Sequence, residues 1–214
     1  VTATLHCFGE SGNAYKAALS MTLAGYDWAP RFVDFFNGET RTPAFRALNV
    51  MGEVPVLVEG DRVLTQSGVI QFHVAEATGR MLGPGGRARD EVLRWVLWDN
   101  HKLSGVAGAT RFLMNFLAPE KRPEPVIAFN QGRLKAAYGV LEAHLAQGRD
   151  WIAADEPTLA DCACAGYLYY PEPFGFDRAD WPEIDAWLTR LSRLPGWKHP
   201  YDLMPGSPAD RAKA

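Results

Sequence analysis

Ser11 opens the stretch Ser-Gly-Asn-Ala-Tyr-Lys16, directly after the alternating run Ala3–Phe8. A hydroxyl at the entrance of a helix can cap its first turn, or donate to an anion held there. Val54-Pro55 stands at the start of another apolar run, where an X-Pro bond adopts cis or trans at a difference of only about 0.5–1 kcal/mol. Ser67 precedes an apolar helical pattern and reads as an N-cap, and the N–H groups of such a helix start suit a carboxylate. Thr158 and Asp161 form an S/T-x-x-D pattern close to a capping box, which fixes a helix start and needs no catalytic role. The three cysteines offer less. Cys7 lies in a strand pattern, and Cys162 and Cys164 point about 200° apart on a helix, so all read as buried structural thiols. There is no C-x-x-C motif, and His6, His73, His144 and His199 show no metal-ligand spacing, so no metal is expected.

These residues sit in a chain of 214 with 47% hydrophobic and 22% charged residues, a globular composition that excludes a disordered tail or a fibre. The net charge of −3 carries no basic excess for nucleic acid. An odd cysteine count argues against a disulfide framework and for a reducing, cytoplasmic setting. No apolar run reaches the length of a membrane span, and the N-terminus lacks the pattern of a secretory signal.

Two halves of different character position the candidate groups. The first predicts a strand at 3–8, a helix at 12–24 capped by Gly25, a strand at 31–36 and a short helix at 42–48. A hairpin of 54–58 and 62–64 and a helix at 67–77 follow. The second reads as all-helical. Leu134, Tyr138, Leu141 and Leu145 keep helical spacing, as do Ile184, Trp187, Leu188 and Leu191, and 88–117 suggests one long helix weakened near Gly105 and Gly108. The Gly/Pro-rich stretch around Gly79–Gly86 marks the boundary. The expected domains are 1–79 and 87–214 with a linker at 80–86, and 205–214 reads as a loose tail.

Four motifs in this order carry a resemblance that covers nearly the whole chain. They are Ser11–Lys16, Asn49-Val-Met-Gly-Glu-Val-Pro-Val-Leu57, Leu64-Thr-Gln-Ser-Gly-Val-Ile70 and Pro157-Thr-Leu-Ala-Asp161. Together they resemble the cytosolic glutathione S-transferase family, in its bacterial serine-type (theta- or beta-like) form. The resemblance implies an α/β thioredoxin-like N-terminal domain (βαβ-α-ββα) followed by an all-α C-terminal helical bundle. It implies a cis bond before Pro55 that presents the Val54 backbone to an extended peptide as an added strand would. It makes Ser67, with Gln66, the seat of the γ-glutamyl carboxylate.

The implied activity is conjugation of the glutathione thiolate to a small apolar electrophile. Bringing a thiol from a pKa of about 8.5 to about 7 takes about 2 kcal/mol of preference for the thiolate. One hydrogen bond to a charged group contributes roughly 1.5–3 kcal/mol. A single hydroxyl donor is therefore sufficient, without metal or base. Ser11 matches the thiolate-stabilising serine of serine-type members. Asn13 matches the position of the beta-class cysteine and is the rival donor. Tyr15 lies inside the helix.

Members of this family hold the electrophile between the thioredoxin-like half and the first long helices, for which Phe8, His101, Leu103, Ala107, Arg111 and Tyr167 are candidates. Arg111 is open also to a surface ion pair, and a solvated helix face is the more common explanation of His101-Lys102. The chain departs from the theta-like pattern at Thr40 and Glu53, where cations are usual, leaving Arg41 or Lys16 to meet the glycyl carboxylate. The resemblance also implies a homodimer. Two rivals stay open: glutathione-dependent disulfide or peroxide reduction on the same fold, and a non-catalytic interaction module.

Overall fold

The computed structural model describes residues 2–208. They form two compact units, one of residues 2–80 with 195–208 and one of residues 81–194.

In the first unit, β1 (Ala3–Cys7), β2 (Trp28–Phe32), β3 (Val56–Glu59) and β4 (Arg62–Thr65) make one sheet in the order β2-β1-β3-β4. β1 runs parallel to β2 and antiparallel to β3, and β3 and β4 form the predicted hairpin. The strand expected at 31–36 instead occupies Trp28–Phe32. Pairing decides this: Ala3 faces Trp28 and Cys7 faces Phe32, so β2 ends where its neighbour ends. Pro30, which lacks an N–H, is tolerated because β2 is an edge strand.

Helix α1 (Gly12–Ala24) is buried along nearly its whole length. It packs against α3 (Ser67–Thr78), where buried Gln71 Nε2 donates to Ser20 Oγ at 2.9 Å. Gly25 ends α1 at φ 72°, a left-handed cap that a side chain would strain. The short α2 (Pro43–Leu48) starts on a Thr42 cap with Pro43 in its first turn.

The second unit is helical: α4 (Gly85–Trp98), α5 (Gly105–Asn115), α6 (Glu124–Leu145), α7 (Leu159–Cys164) and α8 (Pro182–Leu191). α4 already begins at Gly85, inside the expected linker. The apolar positions of α6 and α8 singled out by spacing are buried. The single helix expected over 88–117 is divided by a π-helical stretch, Asp99–Ser104, held by a buried Ser104 Oγ–Asp99 Oδ1 hydrogen bond of 2.7 Å. Gly105 is required there, because a Cβ at this position would stand 2.8 Å from the Asn100 carbonyl oxygen.

The segment after Leu194 does not belong to the helical bundle as expected. α9 (Pro200–Leu203) packs on α1, and Tyr15 donates its hydroxyl to the Lys198 carbonyl at 2.9 Å. Nor is the described part of the expected tail loose, since the Gly9 N–H donates to the Pro205 carbonyl and Ser207 is buried. The remainder of that tail, 209–214, lies outside the described residues.

Candidate active site

The sheet register gathers the glutathione-site candidates at one end of the first unit. His6 pairs with Val56, so continuing the antiparallel ladder sets Val54-Pro55 beside Cys7 and Phe8. Val56 pairs with Thr65, so the hairpin returns Gln66 and Ser67 to the same end. β2 leaves this end too, with the Val33 N–H donating to the Cys7 carbonyl at 2.9 Å, and its loop leads to Arg41.

Ser11 is the N-cap of α1, buried and extended, with its Oγ accepting the Ala14 N–H at 3.2 Å. A serine hydroxyl accepts twice and donates once, so this cap leaves the O–H proton available to an anion. Asn13 is the second residue of the helix and only half-buried. The Val54–Pro55 bond is cis, as the resemblance implied.

Ser67 departs from its expected role as N-cap. It is the first residue inside α3, and Gln66 takes the cap position at φ 68°. That unusual backbone turns the chain sharply from β4 into α3, leaving Ser67 buried and Gln66 exposed. Gln66 Nε2 lies 3.0 Å from Met51 Sδ and 3.4 Å from a Glu53 carboxylate oxygen. Glu53 is exposed, and its carbonyl accepts Asn49 Nδ2 at 2.8 Å. Arg41 is exposed, but Lys16 is fully buried in α1 and offers no surface cation.

Phe8 stacks on Phe35 with ring centroids 4.9 Å apart, and Phe36 meets Phe8 edge-on at 6.0 Å. Sequence reasoning missed Phe35 and Phe36 because they were read as part of a strand. Their signal was the Phe-Val-Asp-Phe-Phe run itself, which has two adjacent aromatics where an alternating strand places one.

The remaining candidates lie in the second unit. His101 and Lys102 are exposed on the π-helical stretch, whereas Leu103 and Ala107 are buried. A Cβ on Gly108 would stand 2.6 Å from the Tyr167 hydroxyl, so this glycine admits the Tyr167 ring against α5.

Arg111 forms an ion pair that is buried on the arginine side and part-exposed on the glutamate side. Its side chain is 2% exposed, Nη2 meets Glu172 Oε2 at 2.6 Å, and the guanidinium lies 4.0 Å from the Tyr170 ring centroid. Glu172 is 22% exposed, so the carboxylate left behind stays partly hydrated, and the loss is that of hydrogen bonds to a charged group, about 1.5–3 kcal/mol. Arg111→Ala is therefore expected to lower the urea-unfolding free energy by about this amount. A loss under about 1 kcal/mol would class the pair with exposed ones.

All three cysteines are buried, and burial pushes the Cys7 thiol up to about 12. The histidines are dispersed: His6 by Arg31, His73 by Glu59, His144 on the Ile152 carbonyl, and His199 at the α9 cap.

This arrangement matches known proteins over most of the chain. Residues 3–76 match the glutathione S-transferase N-terminal domain, and residues 108–195 match the glutathione S-transferase C-terminal domain. The chain belongs to the glutathione S-transferase family. It is 30% identical over 159 residues to glutathione S-transferase GST-4.5 of Xanthomonas campestris, covering 71% of this chain and 75% of that protein. It is 26% identical over 195 residues to the disulfide-bond oxidoreductase YfcG of Escherichia coli, covering 88% of this chain and 89% of that one. The structure of a glutathione S-transferase from Xanthobacter autotrophicus superimposes with a TM-score of 0.85 at 34% identity, covering 94% of this chain and 98% of that one. No helix among the described residues is long and apolar enough to cross a membrane.

Proposed function

We propose that this glutathione S-transferase is a serine-type enzyme that conjugates glutathione to a small apolar electrophile. The observation that carries the reading is the Ser11 hydroxyl at the N-cap of α1, at the sheet end shared with Val54-Pro55 and Gln66-Ser67. Glutathione lies there as an extended peptide. Its cysteinyl backbone meets Val54 and its γ-glutamyl carboxylate meets the start of α3 at Ser67 with Gln66. Arg41 meets the glycyl carboxylate, and Glu53 is the acceptor available to an ammonium group. Ser11 donates to the thiolate, with the Ala14 N–H already satisfied on its other side. The sulfur then attacks the electrophile, forming the thioether bond as the leaving group departs. Phe8, stacked on Phe35, offers an apolar aromatic face to that electrophile. The enzyme is cytoplasmic and homodimeric in this reading, and exposed Val50 and Met51 supply apolar surface for a partner copy.

The similarity to the disulfide-bond oxidoreductase favours a second reading, glutathione-dependent disulfide exchange. With Cys7 a neutral thiol at physiological pH, that exchange would run between glutathione sulfurs. One experiment separates these. Glutathione is titrated by tryptophan fluorescence, and the protein is then offered an aryl halide or a small disulfide. Saturable binding with thioether formation is the expected result. Disulfide exchange without a stable conjugate favours the second reading. No saturable binding at millimolar glutathione overturns both and leaves an interaction module.

A further inference from the structure

The turn that carries Ser11 is held from outside by residues 204–207. Phe8–Ser11 closes on itself through the Ser11 N–H to the Phe8 carbonyl at 3.0 Å. The Gly9 N–H points the other way and donates to the Pro205 carbonyl at 2.6 Å. The approach is tight, and a side chain there would push its neighbour by a few tenths of an ångström. A Cβ on Gly9 would stand 3.3 Å from Gly206 C, Gly206 O and the Pro205 carbonyl oxygen. Gly206 in turn sits at φ 81°, and a Cβ there would stand 2.2 Å from Cε2 of Phe32. Phe32 is the last residue of β2 and pairs with Cys7, the last residue of β1. Residues 204–207 are thus seated between the Ser11 turn and the end of β2, with Met204 and Ser207 buried. α9 and the Tyr15–Lys198 hydrogen bond fasten the same segment to α1, the helix that Ser11 caps.

We propose that Met204–Ser207 is a positioning strap for Ser11. It touches no reacting atom. It fixes the Phe8–Ser11 turn through the Gly9 N–H and so sets where the Ser11 hydroxyl points. The inference rests on Ser11 being the thiolate donor. Hydrogen bonding is steeply directional, so a small tilt of the turn weakens the bond to sulfur without removing the hydroxyl. Glutathione affinity, carried by Val54, Gln66 and Ser67, is left in place.

The test compares wild type, Ser11→Ala, Gly206→Ala, Gly206→Ala/Phe32→Leu and Gly206→Ala/Ser11→Ala. The bound glutathione thiol pKa is read by thiolate absorbance, with kcat and KM measured for an aryl halide and thermal unfolding recorded for each protein. Gly206→Ala is expected to raise the bound thiol pKa and lower kcat about tenfold, with KM for glutathione changed less than twofold. Trimming Phe32 makes room for the new Cβ and should restore part of both. In the Ser11→Ala background, Gly206→Ala should add nothing further. If Ser11→Ala alone leaves the thiol pKa unchanged, the donor reading fails and the strap fails with it. If Ser11→Ala shifts it but Gly206→Ala alters only the unfolding temperature, the strap alone is overturned. Equal losses with and without Ser11 overturn it as well. Should Gly206→Ala not fold, Gly9→Ala, whose contacts are 3.3 Å, reads the same quantities with the same outcomes.

Discussion

Ser11→Ala should raise the pKa of the bound glutathione thiol by about one to two and lower kcat/KM by about 10- to 100-fold near pH 6.5. The size follows from one hydrogen bond to a charged sulfur, roughly 1.5–3 kcal/mol, at 1.36 kcal/mol per decade. The sign sets the pH profile. Below the wild-type thiol pKa both proteins lose thiolate in parallel, and the full deficit appears. Well above the free thiol pKa of about 8.5 both are ionised, so most of the deficit disappears. Thiolate absorbance and kcat/KM from pH 5.5 to 9.5 check both limbs. The substitution also removes the cap from α1, where Ser11 Oγ accepts the Ala14 N–H, at a cost of about 0.5–2 kcal/mol of stability. Ser11→Asp separates the two roles. Its carboxylate restores the cap and favours the positive end of the helix dipole, yet repels a thiolate. It should therefore be more stable than Ser11→Ala and no more active. An unchanged thiol pKa in Ser11→Ala would transfer the donor role to Asn13.

The features legible in the sequence are those fixed by neighbours along the chain. Gly25 ends α1 in the left-handed region, and Thr158 with Asp161 completes a capping box, each as local residue types dictate. What escaped is decided by distant partners. β2 ends at Phe32 because β1 ends at Cys7, a fact of pairing that periodicity within 31–36 does not contain. Gln66 takes the cap position ahead of Ser67 because the chain turns there at positive φ, which favours glycine over glutamine in a sequence reading. The helix expected over 88–117 is interrupted six residues before Gly105 is reached, at a π-helical stretch with no proline to announce it. Pro205-Gly206 looks like a tail because its composition is that of a loop. Its partners, Gly9 and Phe32, lie some 170 residues or more away in sequence. The candidate site reads the same way: Ser11, Pro55 and Ser67 are visible as motifs, while the packing of Phe35 and Phe36 against Phe8 depends on a loop whose course follows from the β2 register.

The largest stability effect is expected at Asp161, in the second unit. Its carboxylate is fully buried and accepts the Ile152 N–H at 3.0 Å, the Thr158 N–H at 2.8 Å, the Thr158 hydroxyl at 3.0 Å and Trp187 Nε1–H at 2.9 Å. Burial pushes the carboxyl above the ordinary aspartate range, and these donors pull part of that back. The group therefore joins the start of α7, the loop at Ile152 and the core face of α8. Asp161→Ala strips the acceptor from all of these donors at once. Orphaned buried donors cost about 1–3 kcal/mol each, without full additivity, so the loss should be about 3–5 kcal/mol. Set against a total stability of about 5–15 kcal/mol, that is enough to leave a measurable unfolded fraction on mild heating. Thr158→Ala removes the cap but spares the Trp187 and Ile152 bonds, so about 0.5–2 kcal/mol is expected. Asp161→Asn keeps the shape and one acceptor oxygen but turns an NH2 towards donors, and should fall between the two. Urea unfolding of the series, with Trp187→Phe added for a double-mutant cycle, gives the coupling directly. Asp161→Ala unfolding within about 1 kcal/mol of wild type would show that water replaces the carboxylate, and would sink the account of Asp161 as the knot of this unit.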